Sequence, residues 1–312
     1  MFLRPDEHII IMEDDFYNPF DDDDIKMLID AGIKTIHVPH AICWDKIYNQ
    51  NSSIRDWSSL DNSINQYLKH DLKLILPFYY TMPRWFPADW YIDNTKQNPD
   101  EVVPNYANDN FKLEVSEFAD EVLNHLNDIR YKVQLTYAIP SLGEFLWDNI
   151  YKEPFPVSDD VIHNFIIDVQ RTLVTQHGEV WLYFHNFLGG IHNWNNIKLP
   201  LLYETLKDKF KGHPIYSVQF AHFVVGTVST NLKDQSLVKK YRDEYGIQFL
   251  VGSQYCEGLS SNFDVAMEQN VRGFLTCPVM SFFEKNGHIQ SWMVNSIKQA
   301  NKRFEEMKYD PY

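Results

Sequence analysis

Residues Lys132 to Asn149 read KVQLTYAIPSLGEFLWDN, and the change of character along this stretch decides the fold. Val133, Leu135 and Tyr137 alternate with Gln134, Thr136 and Ala138, the period of a strand with two unlike faces. Pro140 and Gly143 break the strand, and Glu144 follows at once among Phe145, Leu146 and Trp147. A carboxylate just past the C-terminal end of a strand, among aromatic rings, adds little to packing. Apolar walls raise a carboxyl pKa towards the range a general acid needs. A loop glutamate held by a hydrogen bond or an ion pair is the structural alternative. What separates the two is whether the same strand-to-loop pattern recurs.

It recurs along the whole chain. His8 to Met12 is a strand ending in Glu13, Asp14 and Asp15, and a helix from about Asp22 follows, stopped by Gly32. The run Asp21 to Asp24 falls at that helix N-terminus, where acids suit the macrodipole. Thr35 to Val38 is the second strand, leading to His40 and Trp44. Leu72 to Pro77 is the third, running into the aromatic loop FYYTMPRWFPADWY. Residues 93–108, polar and containing Pro99 and Pro104, read as a long surface loop. A helix from about Phe111 then feeds the strand quoted above, which is the fourth. Strand five, Glu179 to Phe184, ends in His185 and Asn186, and strand six, Ile215 to Gln219, ends near His222. Strand seven, Gln248 to Gly252, leads to Tyr255, Cys256 and Glu257, and strand eight, Gly273 to Cys277, leads to Phe282. Helices are expected from Asp159, over Leu201 to Phe210, around Gln235 to Tyr245, near Asp264 to Gln269, and from Trp292 to Met307.

Strictly alternating strands and helices imply parallel pairing through right-handed crossovers. Eight such units in 312 residues, with no charge-rich or Gly/Ser-rich linker, are the arithmetic of one (β/α)8 barrel over residues 1–312. An open doubly wound sheet is the rival, but no strand is followed by GxGxxG or GxxxxGK[ST]. The fold class expected is therefore α/β, a single TIM barrel.

Composition narrows the partners. A net charge of −15 argues against nucleic acid or an anionic membrane, since both call for clustered Lys and Arg. Eight Trp, 18 Tyr and 21 Phe are enough rings to line a ligand cleft as well as a core. Cys43, Cys256 and Cys277 lie in or beside apolar runs and read as reduced thiols. The first residues, MFLRPDEHIIIMEDD, lack a long apolar core and a small-residue cleavage site, and no stretch has the apolar length of a membrane span. A cytoplasmic protein is expected.

In a barrel of this kind the active site lies at the C-terminal ends of the strands. The scattered residues then share one mouth: His40 and Trp44 after strand two, Tyr80 and Trp85 after strand three, Glu144 and Trp147 after strand four. His185, Asn186 and His222 follow strands five and six, Tyr255 and Glu257 follow strand seven, and Phe282 follows strand eight. Two carboxylates across such a mouth are what cleavage of a glycosidic bond requires, one protonating the leaving oxygen and the other serving as nucleophile or base. Rings stack on the CH faces of a sugar while amides and imidazoles bond its hydroxyls. The substrate expected is an oligosaccharide or glycoside, handled without a cofactor.

The runs DDDDIKMLIDAGIKTIHVPHAICWDKI (21–47) and RDWSSLDNSINQYLKHDLKLILPFYYTMPRWF (55–86) resemble the opening of retaining barrel glycosidases of the clan that holds β-galactosidases and many endoglycanases. That resemblance implies an acid/base glutamate after strand four and a nucleophilic glutamate after strand seven, here Glu144 and Glu257. Two departures stand out. The clan's Asn before the acid/base is Gly143 here, and its Trp after strand eight is replaced by Phe282 and Phe283. The Gly-Glu pair in IPSLGEFLWD is similar to the acid motif of β-amylases, which are inverting barrels, although the gap from Glu144 to Glu257 is shorter than in that family. A carbohydrate-binding barrel without turnover is a third reading, kept open by the missing Asn.

Other residues have plainer readings. Glu13, Asp14 and Asp15 are expected as solvated loop acids, with a sugar contact or an influence on Glu144 as the alternative. His37 and His40 have a metal-like spacing, but strand alternation turns them to opposite faces and no third ligand is evident, so no metal is expected. Cys256 reads as a buried thiol, not a nucleophile. Trp85 and Trp147 are either core or sugar platforms.

Overall fold

A computed structural model describes residues 2–4, 7–14, 19–39, 41–49, 54–79, 83, 85–92, 103–138, 158–185, 193–220, 232–253, 259, 263–264, 267, 270–276 and 289–307. Eight strands make a single parallel ring: β1 (Ile9–Glu13), β2 (Thr35–His37), β3 (Lys73–Tyr79), β4 (Val133–Ala138), β5 (Val180–His185), β6 (Ile215–Phe220), β7 (Ile247–Ser253) and β8 (Gly273–Thr276). Each pairs with its sequence neighbours, and β8 returns to β1 through Ile9 opposite Gly273. The register offsets between successive strands, carried once around the ring, return to β1 displaced by eight residues. Eight strands with a shear of eight define a TIM barrel.

The alternation of side chains sorts the core into two layers. Ile10, Met12, Ile36, Leu74, Leu76, Val133, Leu135, Ile215, Ile247 and Phe249 belong to a large cluster shared with the helices. The helices are α1 (Asp22–Asp30), α2 (Ser58–Leu68), α3 (Asp109–His125), α4 (Asp159–His177), α5 (Asn193–Lys209), α6 (Leu232–Tyr245) and α7 (Ser291–Glu306). Ile9, Ile11, Ile75, Trp181, Tyr216, Leu250 and Leu275 form a separate cluster with Phe2 and Leu3, and these fill the barrel interior.

The N-terminal end of the ring is plugged. Glu179, buried just before β5, accepts from the Phe2 backbone N–H at 3.0 Å and from Trp181 Nε1 at 2.8 Å. Lys73 donates to the Phe2 carbonyl at 2.9 Å, and Trp181 stacks on Tyr216 with centroids 4.6 Å apart. These polar groups of the floor are paired with one another, as burial demands. The opposite end is left for the loops that follow the strands.

Local chemistry explains the helix ends. Asp21 caps α1 by accepting from the N–H groups of Asp23 and Asp24, while Asp24 reaches back to the Asp21 N–H in a capping box. Asp24 is itself buried and accepts from the Ile289 N–H at 2.8 Å, tying α1 to the approach of α7. Gly32, φ +94°, makes the turn into β2 beneath Asn301, whose amide donates to the Ala31 carbonyl at 2.9 Å.

Some expectations need correction. The end of the expected surface loop is more ordered than that: Val103–Pro104 pairs antiparallel with Tyr91–Ile92, Tyr106 in the turn that follows is fully buried, and Asn108 caps α3. α5 begins at Asn193, eight residues earlier than expected, and carries Pro200 inside the helix. β1 starts at Ile9, and the His8 ring stacks on Phe304 of α7 at 4.4 Å. Cys43 is buried; Cys256 and Cys277 lie outside the described residues. No helix among the described residues is long and apolar enough to cross a membrane.

Two histidines carry a pH dependence. Burial lowers His8 to about 4, with the charge of Arg272 adding to it against an opposing backbone hydrogen bond. Burial also lowers His177 to about 4, helped by Arg130. Unfolded histidine protonates near pH 6.5, so between about 6.5 and 4 the unfolded chain binds more protons than the folded one. Stability is then full above about pH 6.5 and declines as the pH falls towards 4. The urea midpoint is expected to drop across this window, and to drop less in His8→Gln and His177→Gln. A wild-type midpoint flat from pH 7 to 4.5, or variants with the wild-type slope, would contradict this.

Candidate active site

The parallel ring brings eight strand ends to one face: Glu13, His37, Tyr79, Ala138, His185, Phe220, Ser253 and Thr276. Polarity changes along the interior towards that face. The inward side chains include Ile9, Ile75, Trp181, Tyr216 and Leu250 with buried Thr35 and Gln134 among them; towards the strand ends buried His37 and Thr136 appear, with Glu13 beside them. A rim that carries an ionisable pair offers a bound molecule directional groups at the mouth.

The defined geometry of this rim is a carboxylate–imidazole pair. Glu13 and His37 end β1 and β2 directly opposite one another, and His37 Nδ1 lies 2.8 Å from Glu13 Oε2. A carboxylate oxygen only accepts, so the proton of that bond is on Nδ1. The His37 side chain is fully buried, while that of Glu13 retains 15% exposure. Asp14 is different again. It is buried, accepts from the Phe20 N–H at 3.1 Å, and its own N–H donates to the His37 carbonyl at 2.8 Å. Burial and the Asp14 charge push the Tyr67 phenol well above its ordinary value. Glu13 and Asp14 are thus built into the rim and are not solvated loop acids. The signal was in the sequence, because alternation from Ile9 and Ile11 carries Glu13 inward. Asp15 lies outside the described residues.

Trp44 also departs from expectation. It opens a one-turn helix, Trp44–Ile47, after Ile42–Cys43 pairs with Phe78–Tyr79. Its ring is fully buried, stacked on Phe118 at 4.9 Å with Tyr48 and Phe86 edge-on. With no accessible face it is a core residue, not a sugar platform. Trp85 is 37% exposed and touches Phe86 edge-on at 6.4 Å, which leaves ring surface open. His185 is the last residue of β5. His40, Tyr80, Glu144, Trp147, Asn186, His222, Tyr255, Glu257 and Phe282 lie outside the described residues. Among the described residues no three His, Cys, Asp or Glu side chains gather as a metal site would need.

A closed ring of eight parallel strands, with helices between successive strands and after the last among the described residues, places the chain in the class of (β/α)8 barrels. The solved structures similar to it share that fold at low sequence identity. The catalytic domain of a β-amylase from Paenibacillus polymyxa superposes with a TM-score of 0.65 at 9% identity, covering 96% of this chain and 98% of that one. An endo-1,4-β-mannanase from Rhizomucor miehei gives 0.59 at 10% identity, covering 96% of each chain. A psychrophilic family 10 endo-β-1,4-xylanase gives 0.58 at 11% identity, covering 93% of this chain and 96% of the other. No family model matches the chain, and no curated protein matches it in sequence. At these identities the likeness shows the fold.

Proposed function

We propose that this chain is a glycoside hydrolase acting on an oligosaccharide or glycoside, with Glu144 and Glu257 as its two working carboxylates and no cofactor. The observation that carries the reading is the closure of the ring. β4 and β7 end on one face, and in sequence Glu144 follows the last residue of β4 by six positions and Glu257 that of β7 by four. Two carboxylates supplied from those strand ends meet the requirement of glycosidic cleavage. The polar rim, and the open ring surface of Trp85, suit a ligand with hydroxyls on its edges and CH groups on its faces. The β-amylase, mannanase and xylanase with the same fold act on glycans, which supports the same substrate class here.

In the retaining form of this mechanism Glu144 protonates the glycosidic oxygen while Glu257 attacks the anomeric carbon. Glu144 then deprotonates the water that releases the sugar. His222 and Tyr255 would orient Glu257, with Trp147 and Trp85 walling the subsites. His40, Tyr80, His185, Asn186 and Phe282 complete the proposed lining. The work is done by one unit spanning residues 1–312. With its net charge of −15 that unit binds neither nucleic acid nor anionic membrane. A second reading, inversion, is favoured by the Gly143-Glu144 pair and by the TM-score of 0.65 to the β-amylase domain, against 0.59 and 0.58 for the mannanase and xylanase. There the second carboxylate activates a water in place of attacking carbon.

The test is hydrolysis of a panel of α- and β-aryl glycosides and short oligosaccharides, with proton NMR of the first-formed anomer. Net retention is expected. Net inversion would support the second reading. Sugar binding without turnover across the panel would overturn the hydrolase and leave a carbohydrate-binding barrel.

A further inference from the structure

The Glu13–His37 pair has a geometry that the packing of the barrel does not require. Ile11 and Ile75 lie beside it in the interior, and an ionisable pair buried against apolar side chains stabilises a fold no better than well-packed apolar residues. The pair also treats the two carboxylate oxygens unequally. Oε2 is held by Nδ1 of the fully buried His37 at 2.8 Å. Oε1 has no hydrogen bond among the described residues, and the side chain keeps its exposure at the end of the ring that opens to the loops. One anchored oxygen makes the other an acceptor of fixed direction.

The backbone reinforces this. Glu13 pairs in register with His37, and His37 with Ile75, so both side chains stand on regular strand and not on loop. The next residue is fixed too, since the Asp14 N–H donates to the His37 carbonyl and Asp14 in turn holds the Phe20 N–H. A group supported in this way loses little freedom when it binds a ligand. A cation would call for further ligands, and the described residues gather no such set.

We infer that Glu13 is a further substrate-binding residue of the mouth, accepting through Oε1 a hydrogen bond from one hydroxyl of a neutral polyhydroxylated substrate, with His37 as the positioning residue that holds Oε2. This rests on the glycosidase reading and adds to it a contact supplied by β1 and β2, away from the strands that carry Glu144 and Glu257. A hydrogen bond to a charged acceptor corresponds to a factor of about 10 to 100 in kcat/KM.

The experiment is a cycle between protein and substrate. Wild type, Glu13→Gln, Glu13→Ala and His37→Asn are assayed on a substrate that the wild type cleaves and on its monodeoxy analogues. Glu13→Ala is expected to lose about 10- to 100-fold in kcat/KM on the parent substrate. One deoxy analogue should lose a similar factor on the wild type and nothing further on Glu13→Ala. His37→Asn, which keeps a donor near Oε2, should lose less than Glu13→Ala. A purely structural pair would lower thermal stability without singling out any one hydroxyl. If Glu13→Ala does not fold, the isosteric Glu13→Gln carries the cycle. Folded Glu13 variants with wild-type kcat/KM, or equal deoxy losses on wild type and variant, would overturn the inference and leave the glycosidase reading standing. A wild type that neither cleaves nor binds any sugar would overturn both.

Discussion

Replacing Gly273 with alanine is expected to destabilise the barrel by about 3 kcal/mol or more, because it forces apart the seam at which the ring closes. Gly273 opens β8 opposite Ile9 of β1. A Cβ at this position would lie 1.8 Å from the Ile9 carbonyl oxygen, 2.8 Å from its carbon and 3.0 Å from its nitrogen. All three are backbone atoms, so no rotamer change relieves the contact and the two strands must separate. The neighbouring bonds would go with them, including Ile9 N–H to the Arg272 carbonyl at 3.3 Å. Gly178 is the control. It ends α4 at φ +70° with nothing within 4 Å of the point a methyl group would occupy, so alanine there should cost only about 1 kcal/mol of backbone strain. Urea unfolding and scanning calorimetry measure both, with a fall in Tm of roughly 5 °C or more expected for Gly273→Ala. A Gly273→Ala protein as stable as Gly178→Ala would show that the seam is looser than described.

The largest expected effect on activity follows from the proposed roles of Glu144 and Glu257. Glu144→Gln removes the proton donor and keeps the shape, so hydrolysis of substrates with poor leaving groups should fall by about 10²- to 10⁴-fold. An activated leaving group such as dinitrophenolate departs without protonation, and with it most of the first-step rate should return. Glu257→Gln should lose activity on both kinds of substrate, since the attacking group itself is gone. These two patterns differ in kind, which guards against attributing a folding defect to chemistry. Glu144→Gln with full activity on poor leaving groups would remove the acid from its role. Glu257→Gln with full activity would place the nucleophile elsewhere.

The barrel was legible in the sequence because its evidence is repetitive. Each strand shows its own short apolar run and each connection its own amphipathic helix, so errors of a residue or two at the ends did not alter the count. Context-dependent features were harder to read. The helix expected from Leu201 begins at Asn193, and it carries Pro200 inside, where a proline is ordinarily disfavoured. Trp44 follows a strand end and so resembled a binding residue, but a short extra pairing of Ile42–Cys43 with Phe78–Tyr79 delivers its ring to Phe118. Tyr106 was hidden in a polar, proline-containing segment, where one ring packs against Phe111 and Phe165. Glu13 was the opposite case. The period of β1 pointed it inward, but a run of three acids invited a solvent reading. Its partner His37 sits 24 residues away, a pairing that only the parallel register of β1 and β2 supplies.

The most direct test of the central claim is a crystal structure from which the separation of the Glu144 and Glu257 carboxyl groups is measured. The retaining reading predicts about 5 to 5.5 Å, and about 6.5 to 9.5 Å would place the chain with inverting enzymes. Carboxyls that point away from one another, or stand farther apart than that across the mouth, would contradict the two-carboxylate mechanism.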